Sequence, residues 1–269
     1  MTLIKSISGI RGTIGGGIDE NLTPVDAVKF ASAYGTWLLT RHPGKKLNVI
    51  VGRDARISGK MISSLVCNTL VGLGIDVTDL GLSTTPTVEL AVTLEKADGG
   101  IIVTASHNPK QWNALKLLNE RGEFLNETDG NTILKLAEEN DYCFAEVDNL
   151  GSYNKKNGYI DKHIDEVLKL KLVDAELINK ANFRVVVDAV NSTGGLAIPN
   201  LLDRLSADII GIKDAVIRVG GVIVIRGAVT YPLPGFTTFI VDTDPLDTNA
   251  VAVALVGVGD CMVIVGGFV

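Results

Sequence analysis

Aromatic residues make up only 5% of this 269-residue chain, so its core has to be assembled from small and branched aliphatic side chains. Cysteine is nearly absent. Cys67, Cys143 and Cys261 are an odd, widely spaced set with no CxxC pair, which excludes a disulfide framework and a thiolate metal site and points to a reducing cytoplasm. There is no excess of basic charge either: 25 Lys and Arg against 31 Asp and Glu leave a net charge of −6, which argues against an electrostatic nucleic-acid binder. A long apolar run is also missing. The N-terminus has no hydrophobic leader segment, and later apolar stretches are interrupted by Gly, Asp or Arg before reaching bilayer length, so no membrane partner is expected. The Asn-x-Thr sequons at Asn21, Asn126 and Asn191 are then chance matches.

What is present is a globular composition, 46% hydrophobic and 21% charged, with 29 glycines. That combination suits an α/β architecture with many tight strand-to-helix turns, and the length suits two domains with ample cores. The first half alternates strands and helices. Leu47 to Gly52 is an apolar run that reads as a buried parallel strand, and Arg53-Asp54-Ala55-Arg56 follows as a polar loop. From Ser58 as N-cap, Met61, Ile62, Leu65, Val66, Thr69, Leu70 and Leu73 recur at helical spacing, and Gly74 ends the helix. A strand over Asp76 to Leu80 precedes a helix with Thr85 as N-cap and Pro86 at N1, running to about Lys96. Gly100 to Val103 is a third strand that opens directly into Thr104-Ala105-Ser106-His107-Asn108-Pro109. This order implies right-handed crossovers and a mainly parallel sheet covered on both faces.

A polar segment from about Asn126 to Lys180 has helical spacing around Ile133, Leu134 and Leu136 and again around Ile164, Val167 and Leu168. Gly151-Ser152-Tyr153 reads as a turn between two surface helices, with the domain boundary nearby. A second strand, Gly-containing turn and helix then run from Phe183-Arg184-Val185-Val186-Val187-Asp188 through Leu205, signalling a second α/β domain. After Ser206 the texture changes. No Glu occurs beyond Glu176 and no Lys beyond Lys213, and Val, Ile and Gly dominate.

The segment from Thr104 to Pro109 is the most informative. It lies at the carboxyl end of a parallel strand, where doubly wound sheets place ligands. A Ser there can be a covalent nucleophile or phosphoryl carrier, or merely part of an ST-turn closed by Asn-Pro. The surroundings of Ser106 lack the Gly-x-Ser-x-Gly elbow, and His107 adjoins it too closely for a hydrolase triad. Neither Gly52 to Lys60 nor Gly257-Val258-Gly259 has the spacing of an ATP or dinucleotide motif.

Thr104 to Pro109, with Asn113 and Lys116 shortly after, resembles the active-site loop of the α-D-phosphohexomutases, the family of phosphoglucomutase, phosphomannomutase and phosphoglucosamine mutase. Three more segments agree in the right order. Ser8-Gly9-Ile10-Arg11-Gly12 is similar to the family's N-terminal loop, Gly52-Arg53-Asp54-Ala55-Arg56 to its Gly-Arg-Asp-x-Arg motif, and Val187-Asp188 with Asn191-Ser192-Thr193-Gly194 to the opening of its second domain. The likeness covers roughly residues 1 to 205.

The resemblance implies an α/β fold of three-layer α/β/α domains with mainly parallel mixed sheets. Residues 1–150 would form domain I with the phosphoserine loop, 151–181 a helical linker and 182–269 a partial or degenerate domain II. The family's third and fourth domains would be absent. Ser106 would carry the phosphoryl group exchanged with a hexose or hexosamine phosphate, Lys116 would be the general base with Arg11 as its charged companion, and His107 would position the phosphoryl group or the sugar. Asn108 and Arg53 would bind substrate. Mg²⁺ would bridge Ser106 and an aspartate loop, whose nearest counterpart here keeps a single acid, Asp260, between valine- and glycine-rich runs. Asp242, Asp244 and Asp247 read as a Pro-containing turn rather than a replacement. The Gly of the family's Asn-Gly-x-Lys pattern is Ala114, which implies a strained or altered backbone there. These departures carry the alternative, a catalytically inactive fragment or pseudo-enzyme. No motif fixes an oligomeric state.

Overall fold

The computed structural model describes residues 1–6, 9–181, 183–189, 191–205, 207–210 and 261–265. The elements follow in order as β1 (Ile4–Ser6), β2 (Gly9–Thr13), α1 (Pro24–Arg41), β3 (Asn48–Arg53), α2 (Gly59–Gly72), β4 (Asp76–Leu82), α3 (Thr85–Leu94), β5 (Gly99–Val103), β6 (Trp112–Leu118), α4 (Glu127–Glu139), β7 (Tyr153–Lys155), α5 (Tyr159–Leu168), α6 (Ala175–Lys180), β8 (Arg184–Asp188), α7 (Gly194–Arg204), β9 (Asp208–Ile210) and β10 (Cys261–Val265). They fall into two compact units, Met1–Lys169 and Leu170–Val269. Among the described residues no helix is long and apolar enough to cross a membrane.

The first unit is built on a seven-stranded sheet in the order β1-β2-β6-β5-β3-β4-β7. Its β5-β3-β4-β7 half is parallel, and β1, β2 and β6 are joined antiparallel to it. Alternation along the strands sends Val49, Val51, Ile101, Val103, Leu115 and Leu117 to one face, where they pack with Phe30, Tyr34, Ile62, Leu70 and Ile133 of α1, α2 and α4. Ile50, Ile102 and Leu118 point to the other face, toward Val88, Ala91 and Val92 of α3 and Tyr159 of α5. The expected three-layer arrangement with a mixed sheet is therefore the observed one. In the second unit, β10, β8 and β9 form a parallel sheet, and Val185 and Val187 pack with Ile198 and Leu202 of α7.

Several local expectations are corrected. The N-terminal segment read as a loop is strand β2, paired with β6 so that Arg11 faces Ala114. Ala114 sits inside β6, outside the left-handed region, so replacing the family's Gly leaves no strain at this position. Helix α3 begins one residue earlier than its Pro suggests: Thr84 is the cap, its hydroxyl accepting from the Thr87 N–H, and Thr85 and Pro86 occupy the first turn. Ser58 stands before α2 without capping it by its side chain, because its hydroxyl accepts from Asn113 Nδ2 at 2.9 Å. Met61, placed on the apolar stripe of α2, is exposed.

Gly151-Ser152-Tyr153 is not a turn between helices but the approach to edge strand β7, which pairs with β4. The pairing rests on polar anchors rather than on an apolar pattern, which is why periodicity misses it. Ser152 donates its N–H and hydroxyl to Asp76 Oδ1 at 2.7 and 2.9 Å, and Tyr153 donates to Asp79 Oδ2 at 2.6 Å. Gly151 passes so close to Ile75 that an added Cβ would lie 1.9 Å from its carbonyl oxygen. Strand β7 and helix α5 thereby belong to the first unit, which runs on to Lys169. The expectations placed on Asp242, Asp244, Asp247 and Asp260 lie outside the described residues, as does Ser8.

Two predictions test how these layers are held. Lys156 and Tyr159 both donate to Glu95, and Lys162 pairs with it at 3.6 Å, which holds its carboxyl below the ordinary value of 4.5. A depressed carboxylate contributes stability above its unfolded pKa and loses it as pH falls through the lower folded value. Glu95→Gln should lower stability by about 1 kcal/mol at neutral pH, and its unfolding free energy should lack that part of the parent's decline below pH 4.5. Urea unfolding across pH measures both. Separately, a Cβ on Gly99 would lie 2.1 Å from the buried Tyr34 hydroxyl, which donates to Leu118 O at 2.7 Å. Gly99→Ala should cost about 1–3 kcal/mol and Tyr34→Phe about 1 kcal/mol. The double variant should lose less than their sum, because phenylalanine removes the clashing oxygen.

Candidate active site

The parallel order β5-β3-β4 sets the carboxyl ends of these strands side by side, and the loops that leave them meet there. In this register Arg53 lies opposite Val103 on one side and Leu82 on the other. Two loops are the ones that matter. One is Asp54 to Ile57 after β3, and the other is Thr104 to Gln111 after β5.

Ser106 sits in the second loop, exposed, with φ +56°, the left-handed region that a non-glycine residue rarely enters. Its N–H donates to Thr104 Oγ1 at 3.2 Å, and that hydroxyl donates onward to Asp54 Oδ2 at 2.6 Å. Asp54 also accepts from Arg56, through the main-chain N–H at 3.0 Å and Nε at 3.1 Å. The Arg56 guanidinium then reaches across the loop. Nη2 donates to Ser106 O at 2.6 Å and Asn108 O at 2.7 Å, and Nη1 donates to Pro109 O at 2.9 Å and Trp112 O at 3.1 Å. The Arg56 side chain is 8% exposed and that of Asp54 13%. Two short bonds close the loop from within, as Asn108 donates its N–H and Nδ2 to Ala105 O at 3.1 and 3.0 Å.

The remaining sequence candidates fall into two places. Arg53, His107 and Asn108 lie with Ser106 at the ends of β3 and β5. His107 is exposed, while Arg53 is half-buried and donates from Nη1 to Asp54 O at 3.0 Å. Asn108 has its amide engaged within the loop, so what it offers outward is limited to its remaining lone pairs and proton. Arg11 and Lys116 lie on the antiparallel half of the sheet. Arg11 faces Ala114 across β2 and β6, and Lys116 is two residues further along β6, so the two cations share one sheet face as diagonal neighbours.

Lys116 rests with Nζ 5.6 Å from the Phe124 ring centroid. Burial raises the nearby Glu89 carboxyl above its ordinary value, and the positive charge of Lys116 opposes that rise. Among the described residues, no group of three His, Cys, Asp or Glu could hold a metal ion, and Asp54, the carboxylate hydrogen-bonded to Thr104 of the serine loop, is engaged by Arg56 as well.

Reading the sequence singled out the serine loop but treated Asp54 and Arg56 only as letters of a motif. The structure makes them the support of that loop. The available signal was chemical: two arginines three residues apart beside an aspartate, immediately after a buried strand, are charges that need partners at a strand end.

Comparison with known proteins identifies the family. Residues 3–143 match the family model for phosphoglucomutase/phosphomannomutase, alpha/beta/alpha domain I. The chain is 36% identical over 205 residues to a phosphoglucomutase/phosphomannomutase of Thermococcus kodakarensis, covering 76% of this chain and 43% of that protein. It is 32% identical over 202 residues to a phosphoglucosamine/phosphogalactosamine mutase of Sulfurisphaera tokodaii, covering 75% and 42%. The crystal structure of a phosphoglucomutase/phosphomannomutase family protein from Burkholderia thailandensis superimposes with a TM-score of 0.61 at 25% identity, over 77% of this chain and 44% of that one. The chain thus spans less than half the length of these relatives. On the matched segment and the identity to these relatives, the chain belongs to the phosphoglucomutase/phosphomannomutase family through its domain I.

Proposed function

We propose that this chain carries the phosphoryl-bearing domain of a phosphohexomutase, an isomerase that moves a phosphoryl group between the 1- and 6-hydroxyls of a hexose or hexosamine phosphate, with Ser106 as the carrier. The observation that supports this most is the state of Ser106: exposed, at a parallel strand end, in a left-handed backbone held from both its N–H and its C=O. A serine placed only to close an ST-turn has no use for that strain.

In this reading a phosphoryl group on Ser106 Oγ is attacked by a sugar hydroxyl. The Oγ–P bond breaks, a new sugar O–P bond forms, the hydroxyl proton passes to Lys116 Nζ as general base, and the solvent-exposed Ser106 Oγ takes up a proton to leave as a hydroxyl. Arg11, on the same sheet face as Lys116, is its charged companion at the site. Arg53 and His107 offer donors to phosphoryl oxygens at the strand ends, and Asn108 offers its remaining capacity to the sugar. Return of the other phosphoryl group from the bisphosphate sugar to Ser106 completes the cycle with no net consumption of phosphate.

Mg²⁺ belongs to the proposal through Ser106 and Asp260. Its chemistry would be to neutralise charge on the transferring group. No group of three His, Cys, Asp or Glu that could hold such a cation is found among the described residues, and no step above is routed through it.

A coupled assay of glucose 1-phosphate and glucosamine 6-phosphate turnover, with Mg²⁺ and a hexose bisphosphate present, tests the reading. Ser106→Ala should reduce turnover to background, and Lys116→Met should reduce kcat by about 10²- to 10⁴-fold. Turnover that persists in Ser106→Ala would remove the carrier role. A well-folded parent chain with no turnover would favour the inactive reading carried by the valine-rich counterpart of the metal loop.

A further inference from the structure

We infer that Arg56 is a positioning residue for the Ser106 loop: its guanidinium, anchored by Asp54, fixes the left-handed backbone that presents the serine hydroxyl, and it does not itself bind the phosphoryl group. The consequence for phosphoryl transfer rests on the proposed function, whereas the structural part does not.

A guanidinium has five N–H bonds. In Arg56 each is matched: Nε to Asp54, one Nη to Ser106 O and Asn108 O, the other to Pro109 O and Trp112 O. With its donors taken and its charge balanced by Asp54, the group has nothing left to offer a phosphoryl oxygen. What it does offer is a rigid planar fork that gathers four carbonyls of one loop at a single point. The bonds to Asn108, Pro109 and Trp112 are partly buried, and carbonyls gathered there need such a donor.

The strain at Ser106 supplies the reason for the device. Left-handed backbone is unfavourable by about 1–2 kcal/mol for an L-residue, and it persists only where surrounding bonds over-determine it. Here both main-chain polar groups of Ser106 lead to the same ion pair, the carbonyl directly to Arg56 and the N–H through the Thr104 hydroxyl to Asp54. Lysine keeps the charge but has three tetrahedrally disposed donors on a flexible stem, so it cannot reproduce the fork. Arg56→Lys is therefore the informative variant, because any effect comes from geometry rather than from lost charge.

Hydrogen exchange read by mass spectrometry on the full chain provides the test, with parent, Arg56→Lys, Arg56→Gly and Thr104→Val compared. Exchange in peptides covering residues 104–112 should rise about ten- to hundred-fold in both Arg56 variants, while peptides from β4, α3 and α4 keep their parent rates. Thr104→Val should raise exchange at the start of the loop alone. Millimolar guanidinium, but not ammonium, should restore protection in Arg56→Gly. Phosphoryl uptake on Ser106 from a hexose 1,6-bisphosphate, followed by intact mass, should slow and recover in parallel. Unchanged loop exchange in Arg56→Lys, or a uniform rise across the whole unit that guanidinium leaves alone, would overturn the inference. A parent chain that never takes up phosphoryl, yet shows the confined loosening in Arg56→Lys, would overturn the carrier reading and uphold the positioning role.

Discussion

The ion pair between Asp54 and Arg56, spread over the carbonyls of the neighbouring loop, is the interaction on which the candidate active site depends. It is available only because β3 and β5 are neighbours in parallel, with Arg53 level with Val103, so that the loops leaving them run side by side. A sheet with these strands apart would leave two arginines and an aspartate in solvent and a serine free to relax to an ordinary backbone. Strand β6, returning antiparallel to β5, adds a further tie. It brings the Trp112 carbonyl to Arg56 and the Asn113 amide to Ser58, which joins the far end of the serine loop to the start of α2.

The antiparallel half of the sheet has a different task. Strands β2 and β6 set Arg11 and Lys116 on one face, diagonal to each other and next to exposed Phe124. Two like charges on one strand face repel each other. The fold thus divides the work. The parallel half presents a serine in left-handed backbone at its strand ends, and the antiparallel half presents positive charge on a strand face. Packing of α1, α2 and α4 on the opposite face keeps both on one rigid support.

Much of this was legible in the residues. The helical stripe of α2, the buried runs of β3 and β5 and the placement of Ser106 at a strand end all follow from periodicity, and the ordered motifs led to the family. The misses share a physical cause. Strand β7 is three exposed residues held by Asp76 and Asp79, so it carries no apolar signature. The cap of α3 moved to Thr84 because Pro86 is tolerated at the second position of the first turn as well as the first. Ser58 looks like an N-cap by type, but an Asn distant in sequence claims its hydroxyl. Above all, the role of Arg56 consists of bonds to main-chain carbonyls 50 to 56 residues away, and a carbonyl leaves no trace in side-chain identity.

The most direct measurement is the backbone conformation of Ser106 in Arg56→Lys, obtained from a crystal structure of the full chain. If the guanidinium is what holds the loop, φ of Ser106 leaves the left-handed region and the carbonyls of Ser106, Asn108, Pro109 and Trp112 no longer converge. A variant structure in which Ser106 keeps its φ near +56° and the four carbonyls stay gathered would contradict the account, because the loop would then fold to that shape without the arginine.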